Sequence, residues 1–457
     1  MSSQVPVRKT LVIAALAAAS LLLSVLLGLT ARPASASTDV CGGIFADTTW
    51  SAADSPFIAT CDVVLFPGNT LTIEPGAEVR FAAGTGLSVR GTLIAEGTEG
   101  DRVVFTSSDS LAKGAWAGVH VVTTLGGSAS IGFADFSYAQ TAVSVECCWS
   151  GGPVDVADST FSTNTTALGG YAGWTMTIER STFDNNTYAI TRADKTISDS
   201  LFTNNDYGLF ATERISVYSS TFTGNQVALY GGRGEVKFSE ITNNGTGIQG
   251  FFEGFTVSRN TIASNDIGII LTQYDTFTPP VEFNNIHGNT IYNLTNTVPG
   301  DKEARNNWWG TTDTAQIDAS VFDGFDDPSL GIVHYDPILN EPVIIVPPLG
   351  DVSCDELVNV VDALFILQYE VGLRADSGGC PLPPPETLNV AACDVNDDAL
   401  CNVVDALFIL QCEVGIPNPL CPAAVQAAPE GAPQAPPGGR LLYDLGTHRG
   451  SITGGNI

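Results

Sequence analysis

Two twelve-residue stretches hold the side chains best suited to chemistry, "DVSCDELVNVVD" at 351–362 and "DVNDDALCNVVD" at 394–405. Each sets oxygen-bearing side chains at positions 1, 3, 5, 9 and 12 and contains four carboxylates. The first offers Asp351, Ser353, Asp355, Asn359 and Asp362, with the Leu357 carbonyl at position 7; the second offers Asp394, Asn396, Asp398, Asn402 and Asp405, with the Leu400 carbonyl. A hard cation such as Ca2+ takes about six to eight oxygens, and a loop of this length can wrap them round one point. Without a cation the carboxylates repel one another. Position 6, where such loops favour glycine for a sharp turn, is Glu356 in one and Ala399 in the other.

Each loop leads into a helical pattern, "ALFILQYEVG" or "ALFILQCEVG", and the decapeptide "NVVDALFILQ" is repeated letter for letter at 359–368 and 402–411. The apolar side recurs at Leu364, Leu367 and Val371, and at Leu407, Leu410 and Val414; Gly372 and Gly415 are C-cap positions. Two such loop-helix units joined by a spacer resemble a type I dockerin over residues 350–422. The resemblance implies that Ca2+ folds the unit and that its helices dock onto a cohesin domain of a scaffold protein. Positions 10 and 11 of the loops, which are Val360, Val361, Val403 and Val404, would then meet the cohesin. Those positions carry hydroxyl residues in the best-known members, which implies a different partner here. Identity between the copies implies docking in two orientations related by a half turn.

What precedes this unit is longer and differently patterned. Phe161, Phe183, Phe202, Phe222, Ile241, Ile262 and Ile286 recur at intervals of 22, 19, 20, 19, 21 and 24 residues. Three positions after each stands an asparagine (Asn164, Asn186, Asn205, Asn225, Asn244, Asn265, Asn289), and two positions before stands a serine or asparagine. Six positions after the first six anchors comes Ala or Gly, followed by an aliphatic residue. A period near 20 residues, with short alternating stretches and no helical periodicity, predicts a coil whose turns stack through parallel ladders. The anchors would point inward, and the asparagines would sit at a bend, tolerating left-handed dihedrals and bonding amide to amide.

"LTIEPGAEVRFAAGTGLSVRGTLIAEGTEGDRVVFTS" and "ARNNWWGTTDTAQIDASVFDGFDDPSLGIVHYDPIL" resemble the opening coils and the terminal rung and cap of secreted bacterial right-handed parallel β-helix proteins of the pectin-lyase-like class. That class commonly binds or acts on acidic polysaccharides, so the resemblance raises a polysaccharide lyase or glycoside hydrolase reading beside a non-catalytic one. Arg192, Asp194, Lys195, Glu213, Arg214, Arg233 and Glu235 fall at similar phase before successive anchors and could form one stripe, with Phe210 and Tyr230 offering sugar-stacking faces. The preferred reading of the same residues is a solvated face of alternating charge. Trp308 and Trp309 are read as capping hydrophobes and the asparagine column as structural.

The ends and the composition complete the expected organisation. Arg8 and Lys9, the apolar run Leu11 to Thr30 and Ala34-Ser35-Ala36 read as an export signal over 1–36, with an uncleaved anchor as the rival. A β-helix over 37–336, a proline-bearing linker over 337–349, the dockerin-like unit over 350–422 and a Pro/Ala/Gly-rich disordered tail over 423–457 follow. The fold class expected is thus mostly β, a right-handed parallel β-helix followed by a small α-helical dockerin, in a secreted protein. A net charge of −30 argues against nucleic acid and anionic lipid as partners and favours cations. Ten cysteines outside the apolar leader fit disulfides in an oxidising compartment; the six from Cys354 to Cys421 allow 15 pairings, and no CxxC pair supports zinc.

Overall fold

A computed structural model describes residues 37–146, 152–170, 175–192, 194–250, 255–272, 281–343, 345, 349–353, 358–376, 387–388, 392–395 and 400–414. From Thr38 to Phe322 the chain winds as a parallel β-solenoid of about 11 turns. Each rung contributes short strands to three ladders, and every described pairing in them is parallel, as in Thr182–Asp184 on Thr160–Ser162 and Tyr188–Thr191 on Thr166–Gly170. A third ladder stacks Thr175–Glu179 between Val154–Ala157 and Asp194–Ser198.

The anchor residues form the column that their period predicts. Phe161, Phe183, Phe202, Phe222, Ile241, Ile262 and Ile286 are successive partners in register. The column also runs upstream through Phe136 and Phe105, which the sequence period does not reach because those rungs are longer. The phenyl rings from Phe105 to Phe222 stack at centroid distances of 4.4 to 5.2 Å, and all are buried. Burial of such side chains contributes about 1.5–3 kcal/mol each.

The asparagine column is a buried amide ladder. Asn205 Nδ2 donates to the Phe183 carbonyl at 3.0 Å and to Asn225 Oδ1 at 2.9 Å, while Asn205 Oδ1 accepts the Asn186 backbone N–H at 2.8 Å and its Nδ2 at 3.0 Å. Its neighbours repeat the pattern. A second ladder occupies the position two before each anchor: Ser181 N–H donates to Ser200 Oγ, Ser200 N–H to Ser220 Oγ and Ser220 N–H to Ser239 Oγ, and asparagines continue it from Asn260.

One expectation is corrected. The left-handed residues are not the ladder asparagines but the residues just before them, Thr163, Asn185, Asn204, Asn243 and Ser264, with Gly224 and Gly288 in matching places. A second left-handed set, Asp158, Arg180, Asp199, Ser219, Phe238, Arg259 and Phe283, sits three positions before each anchor. Two such bends flank every anchor strand and turn the chain from one face to the next. The ladder amide is then aimed inward by its predecessor's dihedral, leaving its own backbone N–H to pair with the next amide.

At the first rung the Cys41–Cys61 disulfide joins the strands Thr38–Ile44 and Phe57–Leu65. At the C-terminal end of the solenoid, Trp309 is buried against the core with its ring edge-on to Tyr335, and helix α1 (Thr314–Asp318) inserts Ile317. Trp309 thus caps the column, as expected of a hydrophobe at that place. The linker does not leave the solenoid at 336: Leu339 N–H donates to the Asn307 carbonyl, and Val343 exchanges two hydrogen bonds with the Asn285 amide.

In the C-terminal part, helices α2 (Val360–Glu370) and α3 (Val403–Glu413) pack on each other over a separate small core. Among the described residues no helix is long and apolar enough to cross a membrane. The leader 1–36 and the tail 423–457 lie outside the described residues.

Candidate calcium loops and docking face

The two helices start where the loops end. Asn359 and Asn402 are the N-caps; their side-chain oxygens accept from Val361 N–H at 2.7 Å and Val404 N–H at 2.8 Å. Position 12 of each loop closes the capping box, with Asp362 accepting from Asn359 N–H at 2.8 Å and Asp405 from Asn402 N–H at 2.9 Å. The remaining oxygen of each reaches back into its loop, Asp362 to Ser353 N–H at 2.9 Å and Asp405 to Val395 N–H at 2.9 Å. These acceptors pair with loop position 3 in the first copy and position 2 in the second.

Asp351, Asp362 and Asp405 are fully buried, and Ser353 is nearly so, its hydroxyl 3.5 Å from Asp351 Oδ1. Buried carboxylates are costly unless hydrogen-bonded or neutralised. The helix N-termini favour the two at position 12, and a hard cation could be held by the same oxygens. The donor set, carboxylate, hydroxyl and amide oxygen without sulfur or imidazole, fits Ca2+. Asp351, Ser353, Asn359 and Asp362 would hold one ion, and Asp394, Leu400 through its carbonyl, Asn402 and Asp405 the other. The sequence-predicted ligands Asp355, Leu357, Asn396 and Asp398 lie outside the described residues. Among the described residues no three Asp, Glu, His or Cys side chains form a metal-holding group, and each described loop portion carries only half of its four carboxylates.

A disulfide between Cys393 and Cys401 closes the first half of the second loop. Cys412 on α3 is disulfide-bonded as well. Cys147, Cys148, Cys354, Cys380 and Cys421 lie outside the described residues.

The helix faces are the reverse of what an apolar stripe ordinarily means. The small core takes Ala363 and Ile366 from α2 and Ala406 and Ile409 from α3, together with Val352, Val358, Cys393 and Val395. Val360, Val361, Leu364, Leu367 and Val371 are exposed, and so are Val403, Val404, Leu407 and Val414. Leu364 is 49% and its counterpart Leu407 52% exposed, so the pairs match closely. Leu410, expected on the same stripe, instead packs partly against the core. Gly372 takes φ +73° after α2 and the Leu373 N–H returns to the Gln368 carbonyl, as expected of a glycine cap; Gly415 lies outside the described residues.

On the solenoid, the proposed charged stripe does not assemble as one line. Lys195 pairs with Met176 and Ile215, an inward-facing register, and is only 3% exposed; its Nζ donates to the Thr191 carbonyl at 2.8 Å and to the Arg192 carbonyl. Strand alternation has turned it inside, where the bend carbonyls receive the ammonium. Arg192 occupies that left-handed bend, φ +44°. Arg214 and Arg233 are direct register partners and both exposed. Glu235 belongs to another register, pairing with Ser216 and Thr256, and binds Tyr218 Oη and Lys237 Nζ. Burial first, and then the Glu235 charge, push the Tyr218 phenol far above its ordinary pKa, so it donates to the carboxylate. Asp194 and Glu213 lie in described strands, but their side chains are outside the described residues.

Phe210 and Tyr230 do meet, stacked at 4.8 Å. Sequence reading missed their neighbours Tyr188 and Tyr207, stacked on each other at 5.3 Å and edge-on to Phe210 at 5.5 and 5.4 Å. The rings satisfy one another as cross-strand pairs.

No family model matches the chain, and no solved structure matches it. Among curated proteins, Protein bark beetle of Drosophila melanogaster is 38% identical over 77 residues, which make up 17% of this chain. The chain spans about 2% of that protein's length.

Proposed function

We propose that this is a secreted β-solenoid directed at polysaccharide or a cell surface and attached to a cohesin-bearing scaffold by a calcium-dependent, dockerin-like C-terminal unit. The observation that carries the reading is the matched exposure of identical apolar residues on α2 and α3. A unit that needed those valines and leucines for its own core would bury them, and an exposed apolar patch of this kind marks an interaction surface. The buried oxygens at the feet of both helices support Ca2+ as the ion that fixes the surface.

Calorimetric titration of the chelator-treated full chain with CaCl2 tests the metal. Uptake of two ions is expected, together with a stabilisation of the C-terminal unit of about 2.7 kcal/mol per site at a hundredfold excess over Kd, read as a rise in its melting transition. Absence of heat, with melting indifferent to chelator, would sink the reading. Capture by a panel of immobilised cohesin domains, lost on chelation, tests the partner. A lyase or hydrolase reading of the solenoid now rests on Arg214 and Arg233 rather than Lys195, since a buried lysine bonded to backbone carbonyls is poorly placed to neutralise a uronate.

A further inference from the structure

At the C-terminal end of the solenoid, segments between Arg305 and Asp336 line a cleft of about 880 Å³. Its apolar surface includes the ring of Phe325, which is 81% exposed, and that of Tyr335. Its polar groups include Asp318, Asp326, Asp336 and Arg305. Tyr335, Asp318, Arg305 and Asp326 are held in place before any ligand arrives. Tyr335 Oη donates to Asp318 Oδ1 at 2.5 Å, Arg305 Nη1 donates to the Asp336 carbonyl at 2.6 Å, and Asp326 Oδ2 accepts the Asp323 N–H at 3.2 Å. The buried Asp323 carboxylate accepts the N–H groups of Phe325 and Val333 at 2.8 and 2.7 Å, which fixes the loop that presents the phenyl ring.

A large exposed aromatic ring beside preorganised carboxylates and a guanidinium suits a ligand with one apolar face and a rim of hydroxyls. Carboxylates outnumber the single arginine, so an anionic sugar would be repelled. We infer that this cleft binds a neutral saccharide unit, its C–H face on Phe325 and its hydroxyls donating to Asp326 and Asp336 and accepting from Arg305. The inference rests on the carbohydrate-directed reading of the solenoid and narrows it to uncharged glycans. It does not involve the C-terminal helices.

Titration calorimetry of the full chain against neutral xylo-, cello- and manno-oligosaccharides, an oligogalacturonate and a cationic chitosan oligomer tests it. At least one neutral oligosaccharide is expected to bind, with Phe325→Ala weakening binding about tenfold and Asp326→Asn weakening it less, both at unchanged melting temperature. Binding of the charged oligomers alone, no binding of any neutral sugar, or neutral binding indifferent to Phe325→Ala would each overturn the assignment. Because calcium uptake and cohesin capture are measured separately on the same chain, their survival alongside a sugar-blind cleft removes this inference and leaves the scaffold attachment standing.

Discussion

The solenoid and the C-terminal helix pair both repeat their sequence, yet they use repetition in opposite directions. In the solenoid the repeated residues face inward, where each phenyl ring stacks on its copy and each asparagine bonds to its copy. There the repeat is demanded by folding, because a parallel ladder places every side chain against its equivalent one rung away. In the helix pair the core is built from Ala363, Ile366, Ala406 and Ile409, while Val360, Leu364, Val403 and Leu407 face out. Among the described residues, no contact within the unit requires those outward residues to be the same twice. Identity that folding does not need is what the proposed docking onto a partner would use.

The sharpest way to break this contrast is to remove one inward copy. Asn205→Ala would remove the bonds its amide makes to Asn186 N–H and Nδ2, the Phe183 carbonyl and Asn225 Oδ1, and should cost about 3–5 kcal/mol, as much as Phe202→Ala, by denaturant unfolding. A loss below about 1 kcal/mol would show that the ladder is decorative. Next in size, Ile366→Ala should destabilise the helix pair by about 2–5 kcal/mol. Leu364→Asp with Leu407→Asp should leave its melting within about 0.5 kcal/mol while costing at least about 2 kcal/mol of cohesin binding. If the aspartates unfold the unit, the outward face is part of its core and the comparison fails.

The smallest effect concerns pH. Burial holds the His287 imidazole below its ordinary value of 6.5, so the unfolded chain takes up its proton first. Stability from this residue is therefore whole above about pH 6.5 and declines as pH falls from there towards the lowered folded value. His287→Gln should flatten the melting curve of the solenoid between pH 7 and 5; an unchanged slope would assign the acid sensitivity elsewhere.

Much of the coil was legible because its period is strict from Phe161 onward. It faded upstream, where Phe136 and Phe105 continue the column at intervals of 25 and 31 residues, too irregular to register as a repeat. The aromatic neighbours Tyr188 and Tyr207 escaped notice although they are cross-rung partners just as Phe210 and Tyr230 are. The charged stripe was misjudged because phase relative to an anchor shows which rung a residue is on, while strand alternation decides whether it points in, as Lys195 does, or out, as Arg214 and Arg233 do.

By itself the sequence determined that the chain would stack in rungs and that two oxygen-rich loops would each launch a near-identical helix, because period, spacing and residue type act locally. Only the tertiary structure decided which face of those helices is covered, which asparagine neighbour makes the left-handed bend, and that Phe325, Asp326, Asp336 and Arg305 line one cleft. Orientation and convergence depend on the surfaces brought together when distant segments pack, and no one-dimensional pattern encodes them.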